Sequence, residues 1–277
     1  MGASSSASPA ELLRRLGLRA RKGLSQSFLT DQGVCRVMAE AAEIGPDDDV
    51  LEIGPGLGIL TRVLLARAGR VVAVELDPQL ARHLPRLAPG ERLEVVHGDA
   101  LRFEPAAHFR DGYKLAANLP YQVTSPVLSR YLVEVRRPNV LVVMVQREVA
   151  ERIAAPGGRA SYLSILVQSV ADVRLVRQVS PGAFYPRPKV ASSVLLIRPR
   201  DQPVVPERCL AEYLELVRAG FTQPRKTLAN SLAQGLGLPR AAVEARLAAA
   251  GLDPALRPQH LATSDWLALL RARATAR

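Results

Sequence analysis

The feature that most restricts this chain is a regular alternation running from residue 50 to residue 154. Short, largely apolar runs stand at 50–53, 70–74, 93–96, 114–117 and 139–145, all but 114–117 containing β-branched residues. Between them lie stretches with helical periodicity, at 59–68, from Pro78 onward, at 125–135 and at 146–154. Runs this short and this continuous suit strands buried on both faces, whereas a half-exposed strand would alternate apolar and polar residues. Strand–helix alternation of this kind implies an α/β fold, a mostly parallel sheet with helices on both faces. A further helix at 161–170 and strands at 173–179 and 193–198 bring the expected sheet to about seven strands.

Either side of this block the pattern changes. Residues 1–9 are short, small and polar, and are expected to be a disordered tail. Residues 10–22 carry Arg14, Arg15, Arg19, Arg21 and Lys22 against the single acid Glu11, as in a transit peptide or, the favoured reading, a basic helix facing nucleic acid. Residues 23–29 read as a polar loop with a buried Phe28–Leu29 pair, after which Thr30 or Asp31 caps a helix. Pro181, Pro186 and Pro188 argue for a rigid loop without regular structure. Prolines 199, 203 and 206 mark a linker, and alanine and leucine dominate beyond it. Helices are expected at 207–219, 224–235, 240–250 and 264–273, a small all-helical C-terminal domain. The boundaries expected are thus 1–9, 10–200 and 201–277.

Composition narrows the partners. Lys and Arg total 37 against 26 Asp and Glu, a net charge of +11. Such an excess favours a polyanion, nucleic acid before membrane. No apolar run approaches the ~18 residues of a membrane span. Cys35 and Cys209 are far apart, which suits a reducing compartment, and a cytoplasmic location is expected. His83, His97, His108 and His260 lack metal-ligand spacing, so no metal is expected.

The chemistry gathers at strand ends. Glu52-Ile53-Gly54-Pro55-Gly56-Leu57-Gly58 leaves the first strand and enters a helix. Glycines there let a ligand lie against the backbone. The second strand ends at Glu75, an acid able to accept both hydroxyls of a ribose. The third ends in Gly98-Asp99-Ala100, where a carboxylate can accept from an adenine amino group. The fourth ends in Asn118-Leu119-Pro120-Tyr121. An amide, a peptide carbonyl and an aromatic ring within four residues can hold a planar amine. Ligands of open α/β sheets bind outside the carboxyl ends of the strands, so all four segments reach one crevice.

These segments resemble class I S-adenosylmethionine-dependent methyltransferases. Gln26-Ser27-Phe28-Leu29, residues 52–58, residues 118–121, 184–190 and 221–232 together resemble the KsgA-type ribosomal RNA adenine N6,N6-dimethyltransferases, over about residues 10–270. The first three segments are shared with erythromycin-resistance RNA methyltransferases; the last two, with 257–261, point to the KsgA type. The resemblance implies S-adenosylmethionine as cofactor and Gln26, Ser27, Leu29, Glu52, Gly54, Gly56, Glu75, Asp99, Ala100 and Asn118 around it. It implies that Asn118 with the Leu119 or Pro120 carbonyl holds an adenine amine, that Tyr121 stacks on the base and that Phe184 closes its other face. It implies small-subunit ribosomal RNA as the substrate; from their charge and their places in the chain Arg21, Lys22, Arg147, Arg187, Lys189, Arg225 and Lys226 are expected to contact that RNA, and a monomer is expected. One departure stands out: the family has Asn or His where this chain has Ser27, so the cofactor contact there is expected from the backbone. The alternatives are a large-subunit methyltransferase of the resistance type, a non-catalytic assembly or transcription factor on the same fold, and a methyltransferase for DNA or a small molecule.

Overall fold

A computed structural model describes residues 8–21, 26–154 and 159–272 of the chain. Its contacts divide it into two compact units, one drawn from Met1–Ala150 and Arg174–Arg198, the other from Glu151–Val173 and Pro199–Arg277.

The first unit is built on the alternation. In chain order it runs α1 (Pro9–Arg15), β1 (Phe28–Leu29), α2 (Gln32–Ala41), β2 (Asp49–Ile53), α3 (Ile59–Leu65), β3 (Arg70–Glu75) and α4 (Pro78–Leu87). It continues through β4 (Leu93–His97), β5 (Lys114–Asn118), α5 (Thr124–Ser129), β6 (Val140–Gln146) and the start of α6 (Arg147–Ala154). Beyond α7 (Tyr162–Val170) come β7 (Ala171–Val179), β8 (Phe184–Tyr185) and β9 (Ser192–Pro199). Seven strands form one sheet in the order β4-β3-β2-β5-β6-β9-β7. β2 lies between β3 and β5, parallel to both, and β6 is parallel to β5 but antiparallel to β9. The order reverses at β2, so the crevice opens beside its carboxyl end, at the switch point where such sheets bind ligands.

Along the central strands both sheet faces are covered, as their apolar runs require, while the edge strands β4 and β7 are partly exposed. Val50, Val71, Ala73, Ala116, Val142, Met144, Val194 and Leu196 share one face with the buried sides of α2, α3 and α4. Leu51, Val72, Leu115, Leu141, Val143, Leu195 and Ile197 are equally buried on the other. Asp31 caps α2, accepting from Gly33 N at 2.7 Å and Val34 N at 3.3 Å. The helix then buries Val34, Cys35, Met38 and Ala39, a stripe at helical spacing.

The second unit is helical: α8 (Glu207–Gly220), α9 (Leu228–Leu236), α10 (Arg240–Ala249) and α11 (Thr263–Arg271). Trp266 is fully buried and its ring tilts against Phe221 at 5.8 Å, the core role its apolar neighbours implied.

Several details differ from the sequence-based expectation. Residues 151–173 group with the helical unit rather than the sheet unit, and α7 packs against α8 and α11. Helix α7 is apolar nearly all round, and periodicity does not say which neighbour covers such a helix. The basic helix stops at Arg15, and Gly17 (φ 67°) leaves helical geometry just beyond it. Helix α9 starts at Leu228, so Arg225 and Lys226 sit in the turn before it. The helix expected at 125–135 is α5 followed by a wider, π-type turn over Arg130–Glu134. The two loops expected at 23–29 and 181–189 supply β1 and β8, which pair antiparallel, Phe28 opposite Tyr185 and Leu29 opposite Phe184. Proline excludes long strands but not a two-residue rung. Residues 1–7 and Lys22 lie outside the described residues.

Candidate active site

At the end of β2 the chain turns through Gly54 (φ 68°) and Gly56 (φ 55°), left-handed backbone that side-chain-bearing residues adopt only at a cost. Gly54 N donates to Val74 O at 2.9 Å, and a Cβ on Gly54 would meet nothing within 4 Å. Its bare face lines a cavity of about 220 Å³. At Gly56 the approach is close: a Cβ would lie 3.0 Å from the Phe28 ring.

Glu75 ends β3 and is locked by backbone. Its Oε2 accepts from Gly56 N at 3.0 Å and its Oε1 from Asp77 N at 2.9 Å. Two of the four lone-pair directions of the carboxylate are thus used, and the others remain. Burial raises its pKa, and the two backbone bonds oppose that shift. Glu52, one strand over, is 1% exposed. Burial pushes it up to about 8; the nearby Glu75 charge adds to the rise and the Arg62 guanidinium opposes it. Its Oε2 has no hydrogen-bond partner. At the end of β4, Asp99 Oδ1 accepts from Leu101 N at 2.9 Å on the exposed side of the turn.

The end of β5 is arranged differently. Asn118 Nδ2 donates to the Ser27 carbonyl at 3.3 Å. One N–H of the amide is committed there, which orients the group and leaves Oδ1 to accept from a ligand. Leu119 N donates to Met144 O at 3.1 Å, and Leu119 is buried. The Pro120 carbonyl already accepts from Val123 N at 3.1 Å and Thr124 Oγ1 at 3.4 Å. No such bond reaches the Leu119 carbonyl among the described residues. Of the two carbonyls considered from sequence, Leu119 is therefore the freer acceptor. Tyr121 is half-buried, its hydroxyl 3.4 Å from Ser192 Oγ. Phe184 is buried, packed into the sheet core while also reaching the cavity wall.

One cavity collects these parts. It is lined by Gln26, Ser27 and Leu29, by Glu52, Gly54 and Gly56, by Glu75, by Asp99 and Ala100, by Asn118–Tyr121 and by Phe184. All the residues expected from sequence around the cofactor and the amine thus meet in the first unit. Sequence reasoning missed Phe28, which covers Gly56; Leu76, which is 52% exposed on the cavity wall; and Asp77. Asp77 accepts from Gln26 Nε2 at 3.1 Å and caps α4 through Gln79 N at 3.0 Å. The Asp77-Pro78 pair, an N-cap before a proline at the first helical position, was the available signal.

Comparison with known proteins decides the family. A family model described as ribosomal RNA adenine dimethylase matches residues 17–270. The chain belongs to the ribosomal RNA adenine dimethylase family. Two relatives named ribosomal RNA small subunit methyltransferase A support this assignment. The one from Dehalococcoides mccartyi (strain ATCC BAA-2266 / KCTC 15142 / 195) is 42% identical over 92% of this chain and 89% of its own. The one from Anaeromyxobacter sp. (strain K) is 44% identical over 95% and 97%. Among solved structures, the 23S rRNA methyltransferase ErmE superposes with a TM-score of 0.68 at 32% identity, covering 88% of this chain and 98% of its own. A dimethyladenosine transferase from Plasmodium falciparum gives 0.69 at 26%, covering 87% and 95%.

The basic residues of this dimethylase-family chain are not equivalent. Arg187 and Lys189 are exposed on the loop after β8, and Arg147 is exposed at the start of α6. Arg225 and Lys226 are exposed on their turn in the second unit. Arg21 is different. Its backbone N–H donates to Gln26 Oε1 at 2.8 Å, and its guanidinium reaches Gln79 Oε1 at 3.2 Å and Asp77 Oδ2 at 3.5 Å. It braces the Gln26 loop. Among the described residues no cluster of His, Cys, Asp and Glu fits a metal, and no helix is long and apolar enough to cross a membrane.

Proposed function

We propose that this protein transfers methyl groups from S-adenosylmethionine to N6 of adenosines in small-subunit ribosomal RNA, dimethylating two adjacent adenosines as a cytoplasmic monomer. The observation that carries the proposal is the Asn118 amide, oriented by Ser27 so that its oxygen is the free acceptor beside the glycine cradle. Support for the small subunit comes from relatives at 42% and 44% identity that bear its name, against 32% for the large-subunit enzyme.

The residues fit the cofactor. The open face of Gly54 is a cradle that any side chain would fill. Glu75 retains acceptor capacity for ribose hydroxyls, Asp99 keeps an oxygen for an adenine amino group, and Leu76 offers apolar surface beside them. Gln26, Ser27 and Leu29 close the cradle from the other side. When bound, the cofactor supplies a methyl group made electrophilic by the attached sulfonium.

The rest of the chemistry belongs to the amine clamp. An adenine reaches this depth only after leaving its stack. The N6 lone pair is delocalised into the ring, which makes it a poor nucleophile. Asn118 Oδ1 and the Leu119 carbonyl accept its two N–H groups, which favours a pyramidal nitrogen and turns the lone pair toward the cradle. Tyr121 stacks on the base. The methylated nitrogen is acidic and releases its proton to water, so no strong base is needed. In the second round one N–H remains to be held, and the clamp accommodates a methyl where the other was. Mass spectrometry of nucleosides from small-subunit particles incubated with and without the protein tests this. N6,N6-dimethyladenosine appearing only with the protein is the expected result; its absence, or its appearance on large-subunit RNA instead, would refute the proposal.

A further inference from the structure

Ser27 occupies an unusual position for a residue at a cofactor site, because its carbonyl and its hydroxyl are both already hydrogen-bonded within the protein. Its carbonyl accepts from Asn118 Nδ2 at 3.3 Å, and its hydroxyl donates to the Pro186 carbonyl at 2.8 Å. Between these bonds and Thr30 runs the shortest of ladders: Phe28 opposite Tyr185, Leu29 opposite Phe184. Thr30 closes the far end, its backbone N–H and its hydroxyl both donating to Ala183 O at 2.8 and 3.0 Å. A two-residue β pair is marginal alone, so the side-chain rungs at its ends carry much of its definition. The Ser27 rung is the one beside Asn118, and Arg187 follows Pro186 directly.

We propose that Ser27 is a positioning residue, joining the Asn118 amide to the loop that carries Phe184, Arg187 and Lys189, so that seating this loop on RNA sets the aim of the amide. The inference rests on the methyltransferase function proposed above. It assigns the hydroxyl to the loop rather than to the cofactor. A displaced Pro186 shifts Ser27, and a shifted Ser27 carbonyl lets the Asn118 amide rotate away from the position in which its oxygen accepts from N6. Small misplacements of a group that orients a reacting atom cost rate rather than binding. The second methylation is the more sensitive step, because it has only one N–H to hold.

Three variants test the joint: Ser27→Ala, Ser27→Thr and Thr30→Val. The readouts are the Kd of S-adenosylhomocysteine by calorimetry, kcat and KM on small-subunit particles, the ratio of mono- to dimethyladenosine, and the thermal midpoint. Ser27→Ala is expected to leave the Kd within about twofold and to lower kcat about three- to tenfold, the worth of one hydrogen bond. The monomethyl fraction rises, and Ser27→Thr, which keeps the hydroxyl, returns kcat to within about twofold of wild type. A weakened Kd with kcat unchanged at saturation would make Ser27 a cofactor ligand and overturn the proposal. So would unchanged kcat and product ratio in Ser27→Ala, or no rescue by Ser27→Thr. An equal fall in kcat for Thr30→Val would make ladder stability the cause and also overturn it. Wild-type protein that yields no dimethyladenosine on these particles would instead defeat the underlying function.

Discussion

The two sides of the cavity are built on opposite plans. The side formed by the ends of β2, β3 and β4 is backbone: glycines in left-handed conformation and a glutamate held by two peptide N–H groups. The side formed by the end of β5 and the β1–β8 ladder rests on side chains: one amide, one hydroxyl, one half-buried tyrosine and one buried phenylalanine. The first side tolerates little change because its shape is the fold. The second can change aim without unfolding. That division suits a reaction in which one partner is always the same and the other arrives on a large RNA and changes between rounds.

If the division is real, damage should sort by side. The largest effect expected is on the backbone side. Gly54→Val puts a branched side chain at φ 68° into the open cradle. Left-handed backbone costs roughly 1–2 kcal/mol for a non-glycine residue, so the fold should survive at a lowered melting temperature. Cofactor affinity should fall at least about a hundredfold, measured with S-adenosylhomocysteine. Binding that remains near wild type would remove the cradle from the cofactor site.

Glu52 makes the next test, through pH. Its folded pKa stands near 8, above the ordinary 4.5, because of burial. Below about 4.5 both states hold the proton. Between about 4.5 and 8 the unfolded chain releases it while the folded chain keeps it, so this group lowers stability as pH rises. Glu52→Gln should flatten the fall in denaturation free energy between pH 5 and 9, by roughly 1–4 kcal/mol at the alkaline end. A variant whose stability follows the wild-type pH curve would mean that Glu52 is ionised and paired in the folded protein.

On the other side, Tyr121→Ala removes a stacking face worth roughly 1–3 kcal/mol. The expected result is a fall in kcat/KM on RNA of about 5- to 150-fold with the cofactor Kd unchanged; a weaker cofactor Kd would blur the two sides. The smallest effects belong to the loop cations. Arg187→Ala and Lys189→Ala should each weaken RNA binding a few-fold and lessen the log–log salt slope by about one. A slope that does not move would place these residues off the phosphates.

How far the sequence speaks for each side follows from the same contrast. Strands of five to seven residues such as β3 and β6 announce themselves by apolar runs rich in valine, and the ends of β2, β3, β4 and β5 locate Gly54, Glu75, Asp99 and Asn118. The family adds that these ends serve one chemistry. The β1–β8 ladder was illegible because two residues carry no period. The hydrogen bonds of Ser27, Arg21 and Asp77 were illegible because they link residues 50 to 160 positions apart, which no local pattern encodes. The choice between the Leu119 and Pro120 carbonyls needed the turn that occupies Pro120. Apolar α7 fits the core of either unit by pattern alone, and only its contacts assign it to the helical one.

The central claim is that Asn118, which also lines the cofactor cavity, serves transfer by holding the amine. Asn118→Ala answers it in one preparation, by calorimetry with S-adenosylhomocysteine and by turnover on small-subunit particles. The account predicts a Kd within about threefold of wild type and transfer reduced at least about a hundredfold, the scale of losing an acceptor that orients the reacting atom. Turnover near wild type, or a Kd that collapses together with transfer, would contradict it.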